Sequence, residues 1–237
     1  MKSRIIQKRD EPNNSKFLSQ YYLIQKLFNK MKHSNLFINR LDYFGNPIPL
    51  GAFCYAISFV LYGFCECKVF KRVDTFTFSV LLLFGGIGQV TAGIMEFIKS
   101  RTFPTAVYFV YGLYFISFYY FYNFKGTDQI LFFQEYIKIF YGTWAGLSFP
   151  LIFGSLRSNL IYCLQNGTVC IFFIIKCIGE CKNWNVLRTY VSGILEIITG
   201  LLSLYICFSQ ILNKHFSRNL LPTIPLKKDN EIDDFKH

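Results

Sequence analysis

The residues of this chain best suited to chemistry are polar and glycine residues set inside apolar stretches. The first such stretch opens with Asn46-Pro47-Ile48-Pro49-Leu50-Gly51. Both prolines fix φ and lack an amide hydrogen, so we expect a helix to begin near Pro49. Asn46 would then cap that helix or line an entrance, where the first free amides attract a small carboxylate. The alternative is a sharp helix start with no further role.

A second group lies in the next apolar stretch, which reads Phe84-Gly85-Gly86-Ile87-Gly88-Gln89-Val90-Thr91-Ala92-Gly93-Ile94-Met95-Glu96. Gln89 and Glu96 are seven residues apart and therefore share one face of a helix. The Gln89 amide can donate to a carboxylate, and an ionisable residue in an apolar stretch is a candidate for function. Glu96 has a structural alternative, as an ion-pair partner of Lys99 and Arg101.

Glycine spacing predicts where helices pack closely. Gly85, Gly86 and Gly93 would let another helix backbone approach. Gly142-Thr143-Trp144-Ala145-Gly146 has the GxxxG spacing of a packing face, either within one protomer or between protomers. Tyr111 precedes a glycine deep in an apolar stretch, so its ring is a candidate for lining a constriction. Glu196 is a second carboxylate inside an apolar stretch, and it faces either a pore or a polar neighbour.

The composition predicts a polytopic membrane protein. Of 237 residues, 52% are hydrophobic and 16% are charged, whereas soluble domains carry about 25% charged residues. The net charge of +11 predicts contacts with the anionic lipid bilayer and no nucleic-acid partner, because the basic residues flank apolar spans and form no folded surface of their own. The sequence has no nucleotide-binding loop, zinc signature or nucleophile–base motif, which predicts no cofactor, no metal and no enzyme.

The elements that position these residues are six predicted spans, and the predicted fold is an all-α bundle of six transmembrane helices. The spans cover residues 49–66, 76–98, 103–122, 133–156, 160–178 and 186–212. An even number of spans places both termini on one side. Lys and Arg are more frequent on that side, which predicts that both termini are cytoplasmic.

We expect three parts along the chain. Residues 1–45 form a basic cytoplasmic tail without a cleavable signal peptide. Within the tail, the apolar residues of 17–31 recur at helical spacing, which predicts an amphipathic helix on the membrane surface; a helix packed on the bundle or a partly disordered tail are the alternatives. Residues 46–222 form the membrane domain, and residues 223–237 form a disordered cytoplasmic tail.

The ordered combination of these motifs resembles the acetate transporter family that includes succinate–acetate permeases and the Gpr1/Fun34/YaaH proteins. The resemblance covers about residues 46–222. It rests on the proline run and on the glycine-rich stretch through Glu96, which are followed in the expected order by Thr102-Phe103, Tyr111-Gly112, Trp144, Phe153-Gly154-Ser155-Leu156-Arg157 and the ending from Leu212-Asn213 to Leu221-Pro222.

The resemblance implies a six-helix protomer, often in a hexamer, that moves acetate and similar monocarboxylates by proton-linked or channel-like passage. It implies a hydrophobic gate at Tyr55, Tyr111 and Val169. The chain departs from the family pattern, which has Phe and Leu at the positions of Tyr55 and Val169 and a small residue at Glu196. These departures leave the substrate preference open.

Together these observations predict a multi-pass plasma-membrane carrier or channel for acetate-like carboxylates. The predicted pathway consists of Asn46, Pro47, Pro49, Leu50, Gly51, Gln89 and Glu96, and Glu96 is the candidate for proton coupling. One alternative is a membrane sensor or scaffold that responds to acetate without transport, which the basic tail favours. An aquaporin-type channel is disfavoured, because those channels need two Asn-Pro motifs and only Asn46-Pro47 fits.

Overall fold

The computed structural model describes residues 22–23, 45–69, 75–123 and 130–226. The chain divides into two compact units, Met1–Gly45 and Asn46–His237. The predicted amphipathic helix of residues 17–31 lies outside the described residues except at Tyr22 and Leu23, which are helical. All features discussed below belong to the second unit.

Six long helices make up the described part of this unit, which confirms the predicted all-α six-helix membrane fold. They are α1 (Ile48–Glu66), α2 (Thr75–Ile98), α3 (Thr102–Asn123), α4 (Ile130–Ser155), α5 (Leu160–Lys182) and α6 (Val186–His215). Within the described ranges the chain forms no strand, only a single bridge between Asn159 and Pro225.

By length and composition, α1, α2, α5 and α6 are apolar enough to cross a membrane. The other two helices are more polar for identifiable reasons. Helix α3 contains six tyrosines, and α4 carries Glu135 and Lys138. The connections are short, so successive helices run antiparallel. We call the end where α1, α3 and α5 begin the proline end, and the other the opposite end.

Helix α1 begins where its prolines allow it to. Ile48 is its first residue, and Pro49 occupies the second position, where the missing amide hydrogen costs little. The Asn46 side chain accepts a hydrogen bond from the Ile48 amide at 3.2 Å. Asn46 therefore accepts from the first amide of the helix, although the N-cap position itself is occupied by Pro47.

The glycine-rich part of α2 is a π-helical segment, Leu81–Gly88, between the α-helical parts Thr75–Val80 and Gln89–Ile98. Close packing explains the glycines: a Cβ at Gly85 would lie 2.6 Å from the Phe115 ring, and one at Gly86 would lie 2.6 Å from the Ile116 side chain. The helix therefore lies tightly against α3 immediately before Gln89. Wide π turns of this kind often occur at functional sites.

Two kinds of packing hold the bundle together. Helices α1 and α6 share the most extensive contact because glycines let their backbones meet: a Cβ at Gly63 would lie 2.7 Å from the Gly193 carbonyl oxygen. Between α1, α3, α4 and α5 the core is aromatic, with rings largely edge-on to one another. Its most buried rings are Tyr55, Phe59, Tyr62, Tyr111, Tyr114, Phe115, Phe118, Tyr141, Phe172 and Phe173.

The segment after α6 folds back over the start of α5. The Leu160 amide donates to the Ile224 carbonyl at 2.9 Å, and the Asn213 amide group donates to the Leu221 carbonyl at 2.8 Å. Residues 223–226, which were expected to begin a disordered tail, are therefore attached to the bundle by backbone hydrogen bonds. The rest of that tail lies outside the described residues.

Candidate functional site

The structure brings together the three residues that the resemblance identified as a gate. Tyr55 of α1, Tyr111 of α3 and Val169 of α5 are each fully buried and belong to one apolar cluster. The rings of Tyr55 and Tyr111 meet edge-on with their centroids 5.2 Å apart. Phe59 stacks on Tyr55 at 4.4 Å and extends the ring cluster toward the opposite end. We call Tyr55, Tyr111 and Val169 the gate residues.

Asn166 holds the gate tyrosine in place, and sequence reasoning missed it. The Tyr111 hydroxyl donates to the Asn166 carboxamide oxygen at 3.1 Å, and the Asn166 amide donates to the Tyr162 carbonyl at 3.1 Å. Asn166 is nearly fully buried. The rule that singled out Gln89, a carboxamide in an apolar span, would have found Gln165-Asn166 as well.

A cavity of about 130 Å³ lies on the proline-end side of the gate. Its walls come from the first turns of α1, α3 and α5, the turn after α4 and the last part of α6. The lining residues are Ile48, Ala52, Phe103, Pro104, Val107, Tyr108, Ser158, Tyr162, Gln165, Ser203 and Gln210. Three helix amino termini therefore converge on it, and their partial positive charges favour an anion.

The polar groups of this cavity come from α3, α5, α6 and the turn after α4. The Tyr162 hydroxyl is buried without a hydrogen-bond partner among the described residues. Gln165 lines the cavity wall and lies close to the Tyr55 hydroxyl, although no hydrogen bond within 3.5 Å joins that hydroxyl to any described group. Gln165 thus lies between the cavity and the gate.

Asn46 lies at the outer rim of the cavity. Its amide donates to the Gln210 side-chain oxygen at 3.1 Å. Gln210 lines both the cavity and an open depression bounded by Asn46, Pro49, Ile211, Lys214 and His215. The Asn46–Gln210 hydrogen bond therefore lies between the cavity and the open surface.

The other residues of the proline run have different positions. Gly51 lies against the Tyr108 ring, which leaves no space for a Cβ, and the Tyr108 hydroxyl donates to the Ile48 carbonyl at 3.0 Å. Pro47 is buried, whereas Leu50 is exposed and is not part of the cavity wall. Within the run, Ile48 lines the cavity, Pro49 lines the open depression, and Gly51 lies against the cavity-lining Tyr108.

The two predicted pathway residues of α2, Gln89 and Glu96, are both fully buried. Neither polar atom of the Gln89 carboxamide has a partner in the described parts of the chain. Glu96 lies near the proline end, with one carboxylate oxygen 3.7 Å from an Arg101 guanidinium nitrogen. This is the ion pair that the structural alternative for Glu96 predicts.

The predicted packing glycines divide into two groups. Gly85, Gly86 and Gly93 are in tight contact with α3 side chains. A Cβ at Gly142 would make an ordinary 3.6 Å contact with the Cys177 sulfur of α5. At Gly146 no described atom would lie within 4 Å of a Cβ, so this face of α4 is open in the single chain.

At the opposite end the structure buries charges that the sequence analysis did not connect. Lys176 is only 2% exposed, and its ammonium contacts Glu66 at 2.5 Å. Glu196 of α6 is fully buried. We call Glu66, Lys176 and Glu196 the acid–lysine cluster. The gate residues thus lie between an anion-suited cavity and this cluster.

Comparison with known proteins gives a consistent result. A model of the GPR1/FUN34/yaaH family matches residues 30–228. The succinate-acetate/proton symporter SatP of Escherichia coli (strain K12) is 23% identical over 187 residues, which cover 75% of this chain and 94% of that protein. The ammonia transport outward protein 3 of Saccharomyces cerevisiae is 25% identical over 194 residues, which cover 77% of this chain and 70% of the relative. The solved structure of the bacterial acetate channel SatP has the same fold, with a TM-score of 0.70 and 20% identity over 76% of this chain and 99% of that one.

Proposed function

Because the chain belongs to the GPR1/FUN34/yaaH family, we propose that it carries acetate and similar small monocarboxylates across a membrane. The observation that carries this proposal is the fully buried ring contact of Tyr55 and Tyr111, between the proline-end cavity and the acid–lysine cluster. Packed rings across the middle of a membrane bundle block a hydrated ion until they move. Relatives named for acetate and succinate–acetate transport support the choice of substrate.

The cavity suits a two-carbon carboxylate in size and charge. Its volume of about 130 Å³ corresponds to about four water molecules at ~30 Å³ each. The apolar walls from α3 accommodate a methyl group. The carboxylate would face the amino termini of the three helices, where Gln165 and the Tyr162 hydroxyl are available as donors.

Passage beyond the cavity requires the gate to open. Tyr55 and Val169 have no hydrogen bond that fixes them within the described chain, whereas Tyr111 is bound to Asn166. Opening would move the Tyr55 ring and expose its hydroxyl to the carboxylate. Gln89, whose carboxamide is buried and unpartnered within the described residues, would then donate to the substrate on its way through the bundle.

The location and assembly form part of the same proposal. We place the protein in the plasma membrane with both termini cytoplasmic. Basic residues support this orientation, because Lys99, Arg101, Arg157, Lys214 and Arg218 all lie at the proline end. The open face of α4 around Gly146 supports a homo-oligomer, with one pathway in each protomer. Proton-linked transport is supported by the symporter relative.

The test is uptake of radiolabelled acetate into proteoliposomes that contain the purified full-length chain. We expect saturable uptake above that of protein-free liposomes, faster with an inward proton gradient, and slowed by succinate if the site admits a second carboxylate. The control is Ile198→Trp, which changes an exposed residue of α6 that does not line the cavity and should transport normally. Uptake no faster than in empty liposomes, from correctly folded protein, would exclude the proposed function.

A further inference from the structure

The acid–lysine cluster contains one satisfied pair. Lys176 donates to a Glu66 carboxylate oxygen at 2.5 Å and to the Arg188 carbonyl oxygen at 2.7 Å. The other Glu66 oxygen accepts from the Tyr62 hydroxyl at 2.7 Å. Glu66 and Lys176 therefore form a hydrogen-bonded ion pair whose charges cancel.

Glu196 completes the cluster without any such partner. Its side chain is fully buried, and neither of its oxygens is hydrogen-bonded to any residue in the described ranges. Facing glycines bring the two acids together: a Cβ at Gly63 would lie 3.0 Å from the Glu196 Cβ, and one at Gly193 would lie 3.0 Å from the Glu66 Cβ. Glu196 thus lies beside a pair that already uses the nearby lysine.

An ionised carboxylate in this position would be unstable. Removing a carboxylate from water costs several kcal/mol unless a counter-charge and hydrogen bonds replace the water. Here the counter-charge, Lys176, is held by Glu66. From this geometry we propose that Glu196 is the proton-binding site of the transport cycle. We also propose that Lys176 exchanges between Glu66 and Glu196 as the proton leaves.

The proposed step is balanced in charge and atoms. The O–H bond of the Glu196 carboxyl breaks, and the proton passes to water at the opposite end. The resulting carboxylate takes Lys176, which remains an ammonium and shifts its hydrogen bond from Glu66. Glu66 keeps its hydrogen bond from Tyr62 and, being 13% exposed, gains water. The cluster changes from neutral to one negative charge.

Among the described residues around the two acids, Lys176 is the only cation available to balance the negative charge that forms on Glu196. Several titratable groups on five helices face the two acids. They are Tyr62 of α1, Cys67 just after α1, Tyr114 and Tyr122 of α3, Tyr141 of α4, Glu180 of α5 and Arg188 of α6, whose carbonyl accepts from Lys176. Arg188 is the only other cation among them, and it is 3.5 Å from Glu180.

Movement of Lys176 would affect the gate residues through the aromatic rings that its ammonium contacts. Its ammonium lies over the rings of Tyr62 and Tyr141, at 5.9 Å and 5.7 Å from their centroids. These rings belong to the same core cluster as the gate residues. Lys176 also follows Val169 by seven residues on α5, which places both on one helix face, about 10 Å apart. Movement of Lys176 therefore changes the packing of the rings that close the pathway.

The first test reads the protonation state without any transport. Infrared difference spectroscopy of the full-length protein in lipid should show the C=O band of a protonated carboxyl. Glu196→Gln should remove that band, and Glu96→Gln, which changes the other buried acid, should retain it. The native band should also disappear as the pH is raised. A spectrum in which Glu196→Gln leaves the protonated-carboxyl bands unchanged overturns the inference.

The second test measures coupling and rests on the proposed acetate transport. In proteoliposomes, Glu196→Gln should lose all acceleration of acetate uptake by a proton gradient while retaining acetate exchange at equal pH. The matched control is Glu135→Gln, which removes an exposed acid near the same end and should keep the acceleration. Unchanged gradient acceleration in Glu196→Gln overturns the inference. A native protein that transports no acetate would instead overturn the proposed function, and the infrared result would remain the test of the protonated carboxyl.

Discussion

At the scale of single residues, the proposed pathway consists of buried polar groups with few partners among the described residues. The Tyr111–Asn166 hydrogen bond is the exception, since it joins two buried side chains on neighbouring helices at 3.1 Å. A buried hydrogen bond fixes geometry mainly because breaking it leaves a polar atom unsatisfied. Asn166 therefore positions the gate tyrosine, whereas Tyr55 is held by ring packing alone.

This asymmetry predicts a double-mutant result. Asn166→Leu leaves the Tyr111 hydroxyl buried without its acceptor, which should destabilise the protein by about 1–3 kcal/mol. Adding Tyr111→Phe removes the orphaned hydroxyl and should restore part of the loss. Apparent melting temperatures of the two single variants and the double variant in detergent measure the effect. A double variant that is as unstable as the sum of the single changes would show that the hydrogen bond does not position the gate.

Replacing Gln89 with an apolar residue should increase stability and slow transport. Its carboxamide is fully buried with no partner inside the described part of the chain. Gln89→Leu should therefore raise the free energy of unfolding by about 1–3 kcal/mol while slowing acetate uptake. Thr91→Val is the matched control, because Thr91 is exposed on the same helix and bonds only to the Ile87 carbonyl. Unchanged uptake kinetics in Gln89→Leu would remove Gln89 from the pathway.

At the scale of elements, glycine contacts decide how closely the helices approach. Phe115 and Ser58 lie against Gly85 in the π-helical segment of α2, whereas Gly167 of α5 has open space around it within the described chain. The same substitution at these two glycines should therefore have opposite effects. Gly85 lies within the π-helical segment, so its contact with Phe115 and Ser58 holds that segment of α2 against its neighbours.

Alanine substitutions test this contrast. Gly85→Ala places a methyl group 2.6 Å from the buried Phe115 ring, and overpacking of this kind costs typically ~1–3 kcal/mol. Gly167→Ala should be neutral or stabilise α5 by up to about 1 kcal/mol, because alanine favours the helix. Thermal unfolding in detergent compares the two variants. Equal stability of both would mean that the π-helical segment adapts to the methyl group without cost.

The helices also show how much of the fold could be predicted from the sequence. All six helix ranges followed from apolar stretches about as long as a bilayer is thick, and the start of α1 followed from Pro49. The burial of Lys176 was not predicted, because it depends on an ion pair with Glu66, which is 110 residues away. The π-helical segment depends on tertiary contacts with Phe115 and Ile116, so glycine content alone predicted close packing but not the wider turn.

At the scale of the whole bundle, antiparallel helices separate two chemically different ends. The amino termini of α1, α3 and α5 give the proline end a field that favours anions. Helix α1 rises about 27 Å from Ile48 to Glu66 at ~1.5 Å per residue, close to the ~30 Å of a bilayer core. The cavity and the acid–lysine cluster therefore lie toward opposite membrane surfaces, with the gate residues between them.

The outward face of α4 around Gly146 is the predicted contact between protomers. Gly146 is exposed, and no described atom would contact a side chain placed there, yet it lies in a GxxxG pattern that is typical of helix–helix contacts in membranes. If protomers pack through this face, Gly146→Trp should lower the oligomer mass measured by native mass spectrometry or light scattering in mild detergent. Its helix content should remain unchanged, because the tryptophan meets no described part of its own protomer. Ile198→Trp places the same bulk on an exposed position of α6 and should preserve the native mass. An unchanged mass for Gly146→Trp would assign the oligomer contact to another face.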